Sequence, residues 1–229
     1  MMQKSGMQWK ALVYKDVSDL RWNGQVIFNF CINLLFTITF LWAPNSDIPV
    51  SFILASIFVL VTMFMQGNII VEEKEQRTTR RLIQVGFSLR EIIYSKIFIT
   101  FLATAFFLMI FFVIYGIHPL TSLKMFVLSF PLILMMIMIG VILGLKTRNT
   151  IEVTLYGSPI ALLYLFIAGL LMNNERGEMS WLAFFPNYHL HYGIVQLQAN
   201  ETILPYLVVP YSWMVVCLLM FVLWFRKNT

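Results

Sequence analysis

Charge is what this sequence has least of. Asp, Glu, Lys and Arg together make up 12% of its 229 residues, about half the share of a typical soluble domain. Cysteine is nearly absent. Cys31 and Cys217 both fall in apolar runs, with no metal or disulfide spacing, and read as small buried hydrophobes. No Gly-x-x-x-x-Gly-Lys-Ser/Thr loop occurs, so the chain has no ordinary cradle for nucleotide phosphates. No ladder of buried acids runs through the apolar segments, which argues against a proton pump. A proton- or sodium-coupled carrier would place ionisable groups or broken helices near mid-membrane. Only the sequence around Pro159 offers such a break.

What is abundant is apolar length. Hydrophobic residues make up 59% of the chain. They gather in six runs, 26–43, 50–71, 97–115, 125–145, 153–172 and 203–225, each near the ~20 residues a spanning helix requires. The reading is an all-α membrane protein of six transmembrane helices in one transmembrane domain, 1–229. The net charge of +5 does not indicate nucleic acid, because the basic residues alternate between loops. Lys4, Lys10, Lys15 and Arg21 precede the first span. Lys74, Arg77, Arg80, Arg81, Arg90 and Lys96 follow the second. Lys146 and Arg148 follow the fourth, and Arg226 and Lys227 end the chain. Only Lys124 and Arg176 fall elsewhere. Basic loops stay in the cytoplasm, so both termini are expected there. The polar N-terminus excludes a cleavable signal peptide.

Residues 7–21, within an N-terminal segment 1–25, read as an amphipathic helix on the membrane surface or against another subunit. Its expected apolar face is Trp9, Leu12, Val13, Val17 and Leu20, with Lys10, Lys15, Asp16, Ser18 and Asp19 on the polar side. In the first span Asn29, Asn33 and Thr37 recur at i, i+4, i+8 and share one face. Thr62, Gln66 and Asn68 lie toward the cytoplasmic end of the second. These polar groups need partners in hydrocarbon. They either hydrogen-bond between helices or, for Asn29, Asn33, Thr37, Thr62 and Gln66, line a substrate pathway.

Segment 72–96 reads as a cytoplasmic elbow. No breaker interrupts 72–85, so one helix is expected there. Gly86 should end it in the left-handed conformation, and Ser88-Leu89-Arg90-Glu91 has the form of a capping box opening the next helix. Gly140-x-x-x-Gly144 permits a close helix approach. Pro159 is expected to kink or interrupt the fifth span. Segment 173–202 carries Trp181, Leu182, Phe184, Phe185, Tyr188 and Tyr192, and predicts short external helices at the outer leaflet. Asn200-Glu201-Thr202 fits a glycosylation sequon by chance.

The order of these features resembles the permease subunit of ABC-2 type (type V) transporters. The elbow carries the motif-like part: Glu72-Glu73-Lys74-Glu75-Gln76-Arg77-Thr78, Leu82, Gly86-Phe87-Ser88-Leu89-Arg90-Glu91 and Lys96. Arg77-Thr78 stands where the family shows Gly-Thr, and Gly86 stands near its proline. Phe185-Pro186-Asn187-Tyr188 is loosely similar to the family's external segment. The resemblance implies a multi-pass permease of a bacterial cell membrane, forming an export pathway as a dimer with a second copy or a related permease. Separate ABC ATPase subunits would carry the ATP and Mg, and this chain would bind no cofactor or metal and have no catalytic residue. Coupling to those ATPases would fall on Glu72, Glu73, Arg77, Arg80, Arg81, Leu82, Phe87, Arg90 and Glu91. The neutral polar face and Phe- and Met-rich spans favour a lipophilic or amphipathic cargo such as a drug, peptide antibiotic or lipid.

One rival belongs to another class. Glu72-Glu73-x-x-x-Arg77 and Phe185-x-x-x-His189 resemble two motifs of CAAX-type intramembrane proteases, whose third, His-containing motif is missing. The charge pattern puts the acids inside and His118, His189 and His191 outside. A membrane of about 30 Å then separates groups that would have to share one reacting centre. A non-transport assembly or sensor subunit is a further alternative.

Overall fold

The computed structural model describes residues 2–42, 49–172 and 180–228. Helix α1 (Met2–Trp22) meets α2 (Gly24–Trp42) at a bend of 64°. Asn23 makes the corner, its side-chain oxygen accepting from the amides of Gln25 (3.0 Å) and Val26 (3.1 Å). Helix α3 (Val50–Glu75) contains a π-helical stretch, Phe58–Phe64. A short helix α4 (Thr78–Gln84) leads to α5 (Leu89–Ile114), α6 (Pro119–Lys146) and α7 (Thr150–Leu170). A 3-10 turn at Ser180–Phe184 precedes α8 (Pro186–Gln198) and α9 (Leu204–Asn228). No strand occurs among the described residues.

Five helices, α3, α5, α6, α7 and α9, are long and apolar enough to cross a membrane. The bent α1–α2 pair makes a possible sixth. The protein is therefore a multi-pass helical membrane protein. Helix α3 is the axis of the bundle and is almost wholly enclosed, whereas α9 lies at the periphery. Lipid tails are as apolar as Leu or Ile, so close packing rather than water exclusion holds such helices together. The glycines show it. A Cβ on Gly140 would lie 2.6 Å from the Met63 carbonyl oxygen, and one on Gly144 would lie 2.8 Å from that of Gly67. The small-residue face of α6 thus brings its backbone against that of α3.

Four sequence expectations are corrected. The helix expected over 72–85 breaks at Gln76–Arg77, where Arg77 takes a left-handed conformation (φ 58°). There the Thr78 hydroxyl donates to the Glu73 carbonyl at 3.2 Å, giving that acceptor a partner other than an i+4 amide. Pro159 interrupts nothing, since α7 runs unbroken from Thr150 to Leu170. Transmembrane helices tolerate an internal proline more readily than soluble ones, and the Ser158 and Thr154 hydroxyls bond the Thr154 and Thr150 carbonyls beside it. The buried face of α1 is Leu12 and Asp16, while Val17 is exposed. Cys31 is exposed on α2, and Cys217 is half-buried.

The described part of the segment expected outside forms short helices, and one side of it is part of the core. Leu182, Leu190, Tyr192, Ile194 and Leu197 are buried against the bundle. His191 Nδ1 lies 2.7 Å from the Ser51 hydroxyl at the start of α3. Residues 173–179 of the expected external segment lie outside the described residues.

Candidate coupling site

Four consecutive polar residues end α3, and each reaches a different helix. At about 100° per residue, one turn points Glu72, Glu73, Lys74 and Glu75 around the whole circumference. Glu72 accepts a hydrogen bond from Asn23 at the α1–α2 corner. Glu73 pairs with Lys15 of α1 and, at 3.0 Å, with Lys96 of α5. Lys74 donates to the carbonyls of Gly144 and Leu145 (both 2.9 Å) and Thr147 (2.5 Å). These are groups that the C-terminus of α6 leaves without helical partners. Glu75 accepts from the Thr150 amide at the start of α7 (3.2 Å).

The centre of this hub is buried. Asp16, Glu73 and Lys96 are 5%, 6% and 4% exposed. Asp16 lies 3.6 Å from the Lys96 ammonium and accepts from the Ser95 hydroxyl at 2.5 Å. Carboxylates of Asp16, Asp19 and Glu73 converge closely enough to hold a cation. The cation they surround is the Lys15 ammonium, 3.3 Å from Asp16 and 3.0 Å from Asp19. Glu73 Oε2 has no hydrogen-bond partner among the described residues. A cleft of about 270 Å³ beside the cluster is walled by Asp19, Trp22, Asn23 and Glu72.

The elbow proper has the opposite character. None of the side chains of α4 is buried. Arg77, Arg80, Arg81 and Arg90 are exposed, and Leu82 and Phe87 are half-exposed. Ile83 and Val85 are exposed apolar side chains beside them. Gly86, at φ 104°, makes the turn that an L side chain would strain. Both halves of the capping box are present: the Ser88 hydroxyl accepts from the Glu91 amide (3.2 Å), and Glu91 accepts from the Ser88 amide (2.8 Å). The acidic part of the sequence-selected set therefore faces the bundle or caps a helix, while the arginines face away.

The polar residues of the first two spans lie mostly inside the protomer. Asn33 and Thr37 are buried and Asn29 is half-buried. Asn33 and Thr37 donate to carbonyls one turn back, and Ser56 donates to the Asn33 side chain at 3.2 Å. Thr62, within the π-helical stretch, lies 3.0 Å from Thr104 of α5. Gln66 is fully buried, and neither end of its amide has a partner among the described residues.

Sequence reasoning overlooked Lys15, Asp16, Asn23 and Lys74 as site residues. Asn23-Gly24 before an apolar run is an N-cap signal and would have found the corner. Asp16 shares its helical face with Leu12 and Leu20, an acid on an apolar stripe. The two ends of α3 also separate the acids from the histidines. His191 meets Ser51, and Glu73 lies 22 residues further along the helix, roughly 30 Å away at 1.5 Å per residue. Glu73 and His191 share no reacting centre.

The bundle defines a multi-pass helical membrane protein. The model of the ABC-2 family transporter protein family matches residues 45–225. The chain belongs to that family and is a membrane permease of an ABC transporter, a class that works with ABC ATPase partners. No curated protein and no solved structure matches it.

Proposed function

We propose that this permease exports a lipophilic or amphipathic compound across a bacterial plasma membrane, as a dimer, and that separate ABC ATPases dock on α4 and the turn after it. The observation carrying this reading is the contrast at the end of α3. A basic elbow with no buried side chain is joined, two residues away, to a hub bonded to α1, α5, α6 and α7. Displacement of such an elbow acts on four helices together. A disordered loop would absorb the same displacement.

Both termini are cytoplasmic in this reading, following the basic loops. Arg77, Arg80 and Arg81 meet an acidic groove of the ATPase, setting register and encounter rate. Leu82 and Phe87 supply the apolar anchor within that charged rim. Glu72, Glu73 and Glu91 act from behind, holding the elbow to the bundle and fixing its turn. The cargo pathway is lined by neutral polar groups, Asn29, Asn33, Thr37, Thr62 and Gln66, reached when α2 and α3 part. The free amide of Gln66 and the absence of a charge on this stripe favour a neutral or amphipathic cargo over a small ion.

The test is co-expression with the ATPase of the same transporter. Phe87→Ala, Arg80→Glu and Arg81→Glu should weaken co-purification or uncouple ATP hydrolysis from transport while the permease stays folded, the charge reversals acting more strongly at low salt. Wild-type complex formation and coupling in all three variants would remove the elbow from the mechanism.

A further inference from the structure

We propose that the cleft between α5, α6 and α9, at the elbow end of the bundle, binds an anionic phospholipid. The cleft has a volume of about 410 Å³, within the range of sites that enclose a small apolar ligand. Its walls are apolar, with Leu134 and Met138 from α6 and Leu218 and Phe221 from α9. Its mouth is not. Arg90, in the first turn of α5, and Arg226, in the last turn of α9, both line it, with Tyr94 one turn above Arg90.

Both arginines are exposed, and neither takes part in the ion pairs formed among the described residues, which are made by Lys15 and Lys96. Glu91, the acid next to Arg90, is engaged with Ser88. Lys146 lies over the Trp224 ring of α9 at 5.9 Å, adding a third cation near the same end. Two unpaired guanidiniums at the rim of an apolar cleft present the two chemistries of a phospholipid in the right order. Planar guanidinium forks match phosphate oxygens, and the cleft behind them runs along helices that cross the bilayer, as an acyl chain does. Basic pockets between spans recognise anionic headgroups on this physical basis. A soluble acidic peptide would fit the arginines but leave the apolar walls uncovered.

The inference rests on the membrane fold, not on the ATPase reading, and its test needs no ATPase. The purified permease in detergent is titrated with phosphatidylglycerol and, separately, with phosphatidylcholine of the same acyl chains, and bound lipid is counted by native mass spectrometry. Wild type should retain phosphatidylglycerol in preference, and excess inorganic phosphate should not displace it. Arg226→Gln should weaken that binding several-fold, and Arg90→Gln with Arg226→Gln roughly thirtyfold, with phosphatidylcholine unaffected. The paired Arg90→Lys and Arg226→Lys variant keeps the charge and should keep most of the preference. Leu218→Trp fills the cleft without changing charge and should reduce retention of both lipids. Equal retention of the two lipids by wild type would overturn the proposal. So would a phosphatidylglycerol preference undiminished in the double Arg90→Gln, Arg226→Gln variant, or retention of both lipids undiminished by Leu218→Trp.

Discussion

Replacing Glu73 with Gln tests whether the hub holds the bundle together. The substitution preserves shape and removes one charge from a site where Glu73 is 6% exposed and Lys96 4%. At the 3.0 Å separation of Glu73 and Lys96, the gross attraction is about 5 kcal/mol at an effective dielectric of ~20. Desolvation of both ions offsets much of that when the pair forms. Removing one partner nonetheless leaves the other buried and uncompensated, at about 3–5 kcal/mol. Asp16, 3.6 Å from Lys96, relieves part of the deficit, so a loss of about 3 kcal/mol is expected, at the lower end of that range. For a chain of this size that is roughly 6–12 °C in Tm. Asp19→Asn is the matched control: its side chain is 63% exposed, and exposed pairs contribute about 0–1 kcal/mol. Thermal unfolding in detergent would be followed for Glu73→Gln, Lys96→Met, the double variant and Asp19→Asn. The double variant should lose less than the sum of its parts. The reasoning fails if Glu73→Gln melts no lower than Asp19→Asn, or if the cycle shows no coupling.

Gly140→Ala places a Cβ 2.6 Å from the Met63 carbonyl oxygen and should cost about 1–3 kcal/mol, read as a lowered Tm, whereas Gly24→Ala, with open space around it, should not. Ser88→Ala removes the side-chain cap of α5 and should cost about 1 kcal/mol, with faster hydrogen exchange confined to the first turn of that helix. Burial lowers the pKa of His189, against an opposing bond to the Ala183 carbonyl, and burial lowers that of His191. A depressed histidine pKa favours the neutral ring in the fold. This stabilisation is present above the ordinary value of about 6.5 and is lost as pH falls through the depressed folded value. Melting profiles should decline across that window, and His191→Gln should flatten the decline. In a background lacking Cys31 and Cys217, single cysteines at 118 and 200 should label from outside and those at 76 and 148 from inside, and an external label at 76 would reverse the orientation.

Five of the spans were legible in the sequence because the bilayer imposes a length that local accident rarely imitates. The Ser88–Glu91 cap and the Gly86 turn were legible because their partners lie within a few residues. What escaped depends on distant contacts. Asp16 looks solvent-facing until Ser95, 79 positions later, donates to it. Arg77 looks helical until Glu73 and Thr78 close the turn beneath it. The π-helical stretch Phe58–Phe64 contains neither Gly nor Pro, and no local pattern marks it. Pro159 misled in the other direction, since a proline rule drawn from isolated helices does not carry over to a helix held in a membrane bundle.

The physics of the bilayer also accounts for four polar residues in a single turn of α3. Within hydrocarbon, one apolar helix face packs about as well against lipid as against another helix. Apolar contact alone therefore specifies weakly which helix stands beside which. A charge at the helix end is specific, because leaving it unpaired is costly and only a partner of opposite sign, or an unsatisfied helix terminus, relieves it. Glu73 finds ammonium groups on α1 and α5, Lys74 the free carbonyls of α6, Glu75 the free amide of α7, and Glu72 the corner amide between α1 and α2. The contacts of Glu72, Lys74 and Glu75 also close a corner or a helix terminus. The exposed helix α4 begins just beyond, at Thr78, so its attachment runs through a turn whose neighbours are fixed by charge rather than by packing.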